Sequence, residues 1–573
     1  MNDANIQLQD YLKEYWEYVL KHNPTFATYI GDHRYNDRLE DLSEEALSAQ
    51  SEHIKDLLVR TEKVDEALLN EGNRLNRKLL INALENNIQM YHYRTHFIPL
   101  DHMQGPHIDF PQLIEFHPFH TRKDIDDYIA RLRAFPSQID QVIQLLQKGT
   151  KHKITAFKNI IAHVLAQVET FTKFTPEDSP LFSPVQKIRG GFAGQDVEDI
   201  SHQIRDAILS GVTPAYRKLH DYLSNEYMKH CREEEGIWSL PKGSGMYRFY
   251  VKYHTTTDLS PEDIHETGRS EVARISSEII TLMDRLGFRG SVREFSAYIK
   301  GKGELYPHSA EEIIQGYRDI LGRMDRMLPA YFGRLPRAKY DLKEIEKYRE
   351  QAAPAAYYYS PPRDFSRPGY FYVNTYKPEQ RPKFDMEALA CHEAVPGHHL
   401  QIAIMQELED IPDFRRYGGS TAFIEGWALY AEKLAKEMGF YQDTFSEYGR
   451  LNNEIWRAVR LVVDTGLHFY KWGREETIHY CKENTGLEER EIEVEVDRYI
   501  AMPGQALAYK TGELKIMELR EKAETYLGPA FDIKEFHDRL LEHGALPLYI
   551  LDSMMKAWME GKITNPNNAD IEK

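Results

Sequence analysis

The residues best able to do chemistry lie in one short segment, 387–404, with the sequence EALACHEAVPGHHLQIAI. It contains the pair His392-Glu393, and His398 and His399 follow six and seven residues after His392. Zinc peptidases commonly carry the motif H-E-x-x-H, in which two histidines one helical turn apart bind the metal. The glutamate beside the first histidine then acts as general base on the bound water. The segment departs from this motif, because its second histidine comes two residues late.

A bulge over residues 395–397, Val-Pro-Gly, would explain the late histidine. A proline inside a helix removes a hydrogen bond and clashes with the carbonyl four residues earlier, here that of His392. Glycine permits backbone conformations that other residues avoid. On an undistorted helix His399 would lie about 10.5 Å further along the axis than His392, too far to share a metal. We therefore predict that His398 is the second ligand and that His399 turns toward substrate or core.

A third ligand is expected from another helix. The stretch TAFIEGWALYAEKLAKEM is a strong helix former, and its Glu425 follows His398 by 27 residues. Glu432 lies two turns further along the same helix and is the weaker candidate. With two histidines and Glu425 on the metal, a water would complete a tetrahedral site, and Glu393 would take its proton.

The elements that must position these residues are mainly helices. Apolar residues recur at three- and four-residue steps over 6–20, and Asn23-Pro24 ends that pattern. Further helices are expected around residues 45–70, 74–93, 123–147, 152–172 and 198–228, after Ser260 and Ser309, and over most of 383–560. Between 339 and 376 prolines and aromatic residues cluster, and alternation near Tyr372 predicts a strand. The sequence thus predicts a mainly α fold with a small β-sheet just before the metal-binding helix.

Four ordered blocks carry a resemblance to a known family. The runs HEAVPGHHLQ, FIEGWALYAE, RLVVDTGLHFYKW and RYIAMPGQALAYKTGELKI resemble the bacterial family called domain of unknown function 885, over nearly the whole chain. That family is similar in layout to the gluzincin metallopeptidases, such as thimet-type oligopeptidases and Taq-type carboxypeptidases. The resemblance implies a large helical fold with a deep cleft and a zinc ion held by two histidines and a glutamate. FIEGW resembles the helix that delivers this glutamate, which favours Glu425.

Further candidates surround these motifs. Gluzincins use a late tyrosine or histidine to stabilise the oxyanion, and Tyr509 in PGQALAYKTG is the best match, with Lys510 as its charged neighbour. Asp464 could accept a hydrogen bond from a ligand histidine, and His468, one turn later, could face the cleft. The strand that includes Tyr372 could bind an extended peptide through main-chain hydrogen bonds. Tyr509 has an ordinary alternative in the core and Asp464 in a cap or an ion pair, and Lys510 is more often a solvated charge than a substrate clamp.

Composition limits the partners. The 573-residue chain has 72 Lys and Arg against 90 Asp and Glu, and its net charge of −18 disfavours nucleic acid and anionic membranes. Three scattered cysteines disfavour a disulfide framework. The first residues lack the basic and apolar pattern of a secretory signal, and no apolar run approaches the roughly 20 residues of a membrane span. We therefore expect a cytoplasmic protein, with an N-terminal helical lobe at 1–255, a catalytic lobe at 256–563 and a flexible tail at 564–573.

Other functions stay open at this level. Two histidines and a carboxylate also describe the facial triad of non-haem iron oxygenases, although those sites normally lie in β-barrels. An inactive peptidase-like binding protein and a hydrolase of non-peptide amides fit the same residues. A second pair, His265-Glu266, lacks a following histidine at the right spacing and predicts no metal site. The favoured prediction is a zinc metallopeptidase that cuts short peptides, as a carboxypeptidase or oligopeptidase; the sequence predicts no oligomeric state.

Overall fold

Helices form most of the computed structural model, which describes residues 3–188, 191–345, 347, 350 and 353–564. The chain divides into two compact units, Met1–Met246 and Tyr247–Lys573, and the division falls within a helix, Gly243–Thr255. The tail expected at 564–573 lies outside the described residues except for its first residue. Among the described residues, no helix is both long and apolar enough to cross a membrane.

In the described part of the first unit, ten α-helices precede the shared helix Gly243–Thr255. They are α1 Asp3–His22, α2 Pro24–Tyr29, α3 Glu44–Glu62, α4 Glu71–His92, α5 Pro106–Gln112, α6 Arg122–His152, α7 Lys158–Lys173, α8 Pro184–Ile188, α9 Gly194–Ala207 and α10 Thr213–Asn225. Thr121 caps the long helix α6 and exchanges hydrogen bonds with Asp124. The apolar face of α6, with Leu132, Phe135 and Ile139, is completely buried in the core of this unit.

The second unit contains the remaining helices and all three described strands. They are α11 Gly243–Thr255 (shared with the first unit), α12 Pro261–Arg285, α13 Val292–Lys300, α14 Ala310–Tyr331, β1 Tyr340–Glu344, β2 Ala356–Tyr359, β3 Gly369–Val373, α15 Met386–Glu393, α16 His398–Gln406, α17 Asp413–Arg416, α18 Thr421–Glu437, α19 Thr444–His468, α20 Arg474–Asn484, α21 Glu489–Ala501, α22 Ala508–Leu527, α23 Ile533–Leu541 and α24 Leu548–Thr564. Ser260 and Ser309 cap α12 and α14, as the sequence predicts.

The three strands form one small sheet in the order β1-β3-β2. Strand β3 pairs in parallel with β1 and antiparallel with β2. One face of the sheet packs on helices: Phe371 of β3 is fully buried, and its ring lies 5.2 Å from that of Tyr317 of α14. The prediction of a mainly α fold with a small sheet is confirmed.

Two glycines let α18 and α22 approach each other closely. A side-chain carbon at Gly512 would overlap the Ala422 carbonyl oxygen, and one at Gly426 would overlap the backbone of Gly512. The two helices therefore cross with their backbones in contact. Glu425 precedes one of these glycines and Tyr509 lies one turn before the other, so the crossing brings both residues to the same region.

Helix α19 is buried over almost its whole length, although it carries five charged side chains on its inner faces: Arg450, Glu454, Arg457, Arg460 and Asp464. Burying an unpaired charge is strongly unfavourable, so each of these groups requires a partner inside the protein. For the arginines and Glu454 the partners lie on α12, α18, α19, α21 and α22, whereas Asp464 accepts hydrogen bonds from α11 and from the loop before α22.

Candidate metal centre

The predicted bulge separates α15 from α16. Helix α15 ends at Glu393, the following Ala394 adopts φ −103° and ψ −103°, and α16 begins at His398. Gly397 is required by close packing, because a side-chain carbon there would overlap the carbonyl oxygens of Cys391 and His392. The prediction of a distortion at residues 395–397 is confirmed.

Hydrogen bonds from both sides hold the bulge. The backbone N–H of His399 donates to the carbonyl of Ala394, five residues back rather than four, over 3.0 Å. From α18 the buried indole N–H of Trp427 donates to the carbonyl of Pro396 over 2.8 Å. Since Trp427 lies two residues after Glu425, the same helix that supplies the carboxylate also fixes the turn that presents His398.

His392, His398 and Glu425 offer ligand atoms that all lie within 4.8 Å of one another. Oε2 of Glu425 is 3.8 Å from Nε2 of His392 and 3.5 Å from Nε2 of His398. Ligands bound to a tetrahedral zinc at about 2.0–2.1 Å would be separated by roughly 3.3 Å. The donor set and its spacing therefore fit a zinc ion, and this is the one such group of three found in the described part of the chain.

Charges within the group keep its carboxylate ionised. Burial alone would raise the pKa of Glu425, but the hydrogen bond and charge of His398, with the charges of His392 and Arg498, lower it to about 2. Burial lowers the pKa of His398, yet Glu425 and Glu393 raise it above its usual value overall. A cation between these groups would take the place of the proton that His398 otherwise favours.

Glu432 holds the first histidine. Its Oε1 accepts a hydrogen bond from Nδ1 of His392 over 2.8 Å, and both side chains are buried. This bond selects the tautomer in which Nε2 carries the lone pair that a metal needs. Arg457 of α19 lies 3.7 Å from the same carboxylate oxygen. The sequence signal for this role is the seven-residue spacing from Glu425, which puts both carboxylates on one face of α18.

Asp464 does not take that role, contrary to the prediction. Its carboxylate accepts hydrogen bonds from the Tyr247 hydroxyl at 2.7 Å and from the Gly504 N–H at 3.0 Å. Burial raises the pKa of Asp464 to about 7, although these bonds lower it. It ties α19 to α11 and to the loop before α22, because the inner face of α19 is turned toward those elements at this point.

His399 points away from the three converging residues. Its Nε2–H donates to the carbonyl of Ala338 over 3.2 Å, and the Tyr358 hydroxyl lies 2.9 Å from its Nδ1. Both ring nitrogens are therefore engaged in packing α16 against the sheet and the residues before it. The structure brings His398, and not His399, to the group.

Glu393, the predicted general base, lies at the carboxyl end of α15, directly after His392. Its side chain is half-buried, and its charge raises the pKa of His398. No hydrogen bond ties its carboxylate to another of the residues that the structure describes. The carboxylate is thus close enough to the group for its charge to act on His398, and it is not engaged in a structural hydrogen bond with the described residues.

Arg498, a residue that the sequence analysis did not single out, links Tyr509 to this region. Nη2 of Arg498, from α21, lies 3.4 Å from the Tyr509 hydroxyl, and the charge of Arg498 contributes to the lowered pKa of Glu425. Arg498 stands at the start of the block RYIAMPGQALAYKTG, and this position is the only signal that could have pointed to it.

A family model described as a bacterial protein of unknown function (DUF885) matches residues 24–555. The chain belongs to the DUF885 family. It is also similar to the solved structure of a "putative lipoprotein" from Colwellia psychrerythraea, with 29% identity, a TM-score of 0.93 and coverage of 98% of this chain and 100% of that one. A "putative lipoprotein of unknown function" from Shewanella oneidensis shares the fold, with 16% identity, a TM-score of 0.75 and coverage of 96% and 99%.

Likeness to known peptidases is much weaker for this DUF885 protein. The M32 carboxypeptidase from Deinococcus radiodurans R1 aligns over 89% of this chain and 95% of that one, with 11% identity and a TM-score of 0.32. No curated protein matches the chain. The expectation of a gluzincin-like enzyme depends on the motifs and on the geometry of the site.

The predicted cytoplasmic location is wrong, since the two similar structures are both described as lipoproteins. The prediction relied on composition, cysteine count and the first residues. A lipid anchor is attached to one end of a protein and requires no apolar helix and no change of charge in the folded part. These features of the DUF885 chain therefore do not report its location.

The predicted peptide-binding strand is also corrected. Tyr372 lies in β3, which is the central strand of the sheet, and its main-chain groups are already paired on both sides. Tyr372 stacks at 4.9 Å on Tyr357 of the neighbouring strand. A peptide can add only to an edge strand, so β3 has no free edge to offer.

His468 and Lys510 are both structural in this DUF885 protein. Nε2–H of His468 donates to the carbonyl of Tyr499 over 2.9 Å, so this ring packs α19 against α21 rather than facing a cleft. Lys510 is fully buried and pairs with the carboxylates of Glu271 at 3.0 Å and Glu454 at 2.9 Å, and also with Glu513. It is therefore neither a solvated charge nor a substrate clamp.

Proposed function

We propose that this DUF885 protein is a zinc-dependent hydrolase that cleaves peptide bonds in short peptides. The observation that carries the proposal is the convergence of His392, His398 and Glu425, with Glu393 directly beside the first histidine. The helix break and the hydrogen bond from His392 to Glu432 are further support, because both are arranged to present Nε2 atoms to one point.

His392, His398 and Glu425 would hold the zinc ion, which would supply the positive charge that acidifies a water molecule and polarises the substrate carbonyl. Glu393 accepts the proton of that water as attack proceeds, and it then delivers the proton to the departing amine. Glu432 keeps the His392 ring in one tautomer and one orientation throughout.

Tyr509 is the proposed donor to the oxyanion that forms as the carbonyl is attacked. A phenol whose hydrogen bond strengthens in the transition state raises turnover without tightening substrate binding. Its position one turn before Gly512, at the crossing of α18 and α22, supports this role. Tyr509→Phe should lower kcat by roughly a hundred- to a thousandfold and change KM little.

The test is digestion of a synthetic peptide library by the purified protein, read by mass spectrometry. The metal-free protein, the zinc-loaded protein and zinc-loaded Glu393→Gln are compared, and zinc is measured in each. We expect cleavage by the zinc-loaded wild type alone, with full zinc in Glu393→Gln, because this residue is assigned to proton transfer and not to the metal. The sites of cleavage distinguish a carboxypeptidase from an oligopeptidase.

Two outcomes would contradict the proposal in different ways. A zinc-loaded wild type that cleaves no peptide would favour a binding protein or a hydrolase of other amides. Equal losses of zinc and activity in Glu393→Gln would make this glutamate a ligand and would overturn its role as base.

A further inference from the structure

Arg460 lies between two aromatic rings, and one of them is Tyr509. Its guanidinium carbon is 4.3 Å from the ring centre of Trp456, one turn earlier on α19, and 4.6 Å from that of Tyr509 on α22. Guanidinium groups stack on aromatic faces, and the attraction is strongest where water is excluded. Arg460 is buried, so this stack holds the plane of the Tyr509 ring.

Arg498 holds the other end of the same side chain. Its Nη2 lies 3.4 Å from the Tyr509 hydroxyl and donates to Oε1 of Gln505 over 2.6 Å. The face of Tyr509 thus contacts one arginine and its hydroxyl contacts a second. A phenol held in both ways has little freedom to rotate about either of its side-chain bonds.

One carboxylate joins the two arginines. Glu495 accepts a hydrogen bond from Nη2 of Arg460 over 3.0 Å, and both of its oxygens lie 3.2 Å from Nη1 of Arg498. The Arg460 Nε–H also donates to the Tyr499 hydroxyl over 3.0 Å, which fixes this guanidinium further. Glu495 therefore sets the relative position of both cations.

We propose that Arg460, Glu495 and Arg498 form a clamp that positions the phenol of Tyr509 toward the metal centre. The inference rests on the proposed function, because it assumes that Tyr509 acts on the substrate. In this proposal none of the three clamp residues contacts the substrate. They are positioning residues that act through Tyr509. If their role were purely structural, the two arginines would only pack the core around α19 and α21 and would not act through Tyr509.

The test is a double-mutant cycle on the zinc-loaded protein. Glu495→Gln keeps the size of the side chain but removes the charge that holds both arginines, and Arg460→Met removes the stacking cation. Each should lower kcat by about tenfold or more, since small displacements of a catalytic group can cost about a hundredfold. KM and zinc content should stay within about twofold of wild type. In the Tyr509→Phe background the same changes should lower kcat less than twofold.

Arg450→Met is the matched control. Arg450 is another buried arginine of α19, and it pairs with Glu454 instead of with a residue of the clamp. Its replacement should affect thermal stability, and any effect on kcat should be equal in the wild-type and Tyr509→Phe backgrounds. If Arg460→Met does not fold, the test relies on Glu495→Gln, provided that its melting curve shows it to be folded.

Crystal structures of the metal-free wild type and Glu495→Gln give a measurement that does not depend on activity. We expect one ordered Tyr509 conformation in the wild type and a displaced or multiple one in the variant. The clamp would be overturned if the clamp variants lowered kcat as much in the Tyr509→Phe background as in the wild type. An unchanged Tyr509 conformation in the Glu495→Gln crystal would overturn it as well. A wild type without peptidase activity would instead refute the proposed function, and a fully active Tyr509→Phe would remove the reason for a clamp.

Discussion

Replacing Glu432 should weaken zinc binding without removing a ligand. Its Oε1 accepts the Nδ1–H of His392 over 2.8 Å inside the protein, and its second oxygen, Oε2, has no hydrogen-bond partner among the described residues. The carboxylate thus makes Nε2 of His392 a stronger metal ligand and fixes the ring at the same time. Glu432→Gln keeps an acceptor of the same size but removes its charge, whereas Glu432→Ala removes the acceptor as well.

The magnitude follows from the kind of bond that is lost. A hydrogen bond to a charged group contributes about 1.5–3 kcal/mol and one between neutral groups about 0.5–1.5 kcal/mol. Glu432→Gln should therefore cost about 1–1.5 kcal/mol of zinc binding, which is about a tenfold rise in Kd. Glu432→Ala leaves a buried N–H without an acceptor, and its Kd should rise roughly a hundredfold, the upper end for outer partners of ligand histidines.

The assay is competition for zinc with a chromophoric chelator of known affinity, on protein first stripped of metal. The matched control is Glu437→Gln, on the same helix, whose partner is Arg520 at the surface and not His392. Arg457 also loses a charged neighbour in the Glu432 variants, so their metal-free forms should melt at lower temperature. Zinc affinity is accordingly compared at a temperature where melting curves show every variant to be folded.

A wild-type Kd in both Glu432 variants would refute the reasoning about this outer carboxylate. Loss of zinc from the control to the same degree would refute it as well, because the effect would then be one of helix stability. A wild-type protein that does not bind zinc is a different result, since it would refute the metal centre itself.

Three further predictions test the surroundings of the centre. Gly397→Ala should abolish zinc binding and lower the free energy of unfolding by at least about 1–3 kcal/mol through overpacking, whereas Gly303→Ala, where no atom lies within 4 Å, should melt like wild type. His398→Gln should lose zinc in elemental analysis while His399→Gln keeps it, and the reverse result would exchange the two histidines in the site. Asp464 has a pKa raised to about 7 by burial, so it binds a proton in the folded state that it has lost when unfolded. Its contribution to stability is present below about pH 4 and is lost as the pH rises to 7. The free energy of unfolding of wild type relative to Asp464→Asn should thus fall by up to about 4 kcal/mol over that range, and a difference independent of pH in chemical denaturation would contradict the raised pKa.

Local patterns in the sequence were enough for the helical elements and for the three candidate ligands that the structure brings together. The spacing of apolar residues and the caps at Ser260 and Ser309 predict helices where the structure has them, because periodicity and capping act within a few residues. The Pro-Gly pair at 396–397 predicts the break for the same reason, since its clash with the preceding turn is local.

Contacts between distant elements were decided only by the tertiary structure. Spacing puts Glu425 and Glu432 on one face of α18, but the packing of α18 against α15 gives His392 its partner, so Glu432 has the role predicted for Asp464. The strand near Tyr372 was predicted, yet its central place in the sheet follows from pairing with strands on both sides. Lys510 illustrates the physical reason: which charges are buried together depends on how helices cross, and the Gly426–Gly512 crossing is set by close packing that no single segment contains.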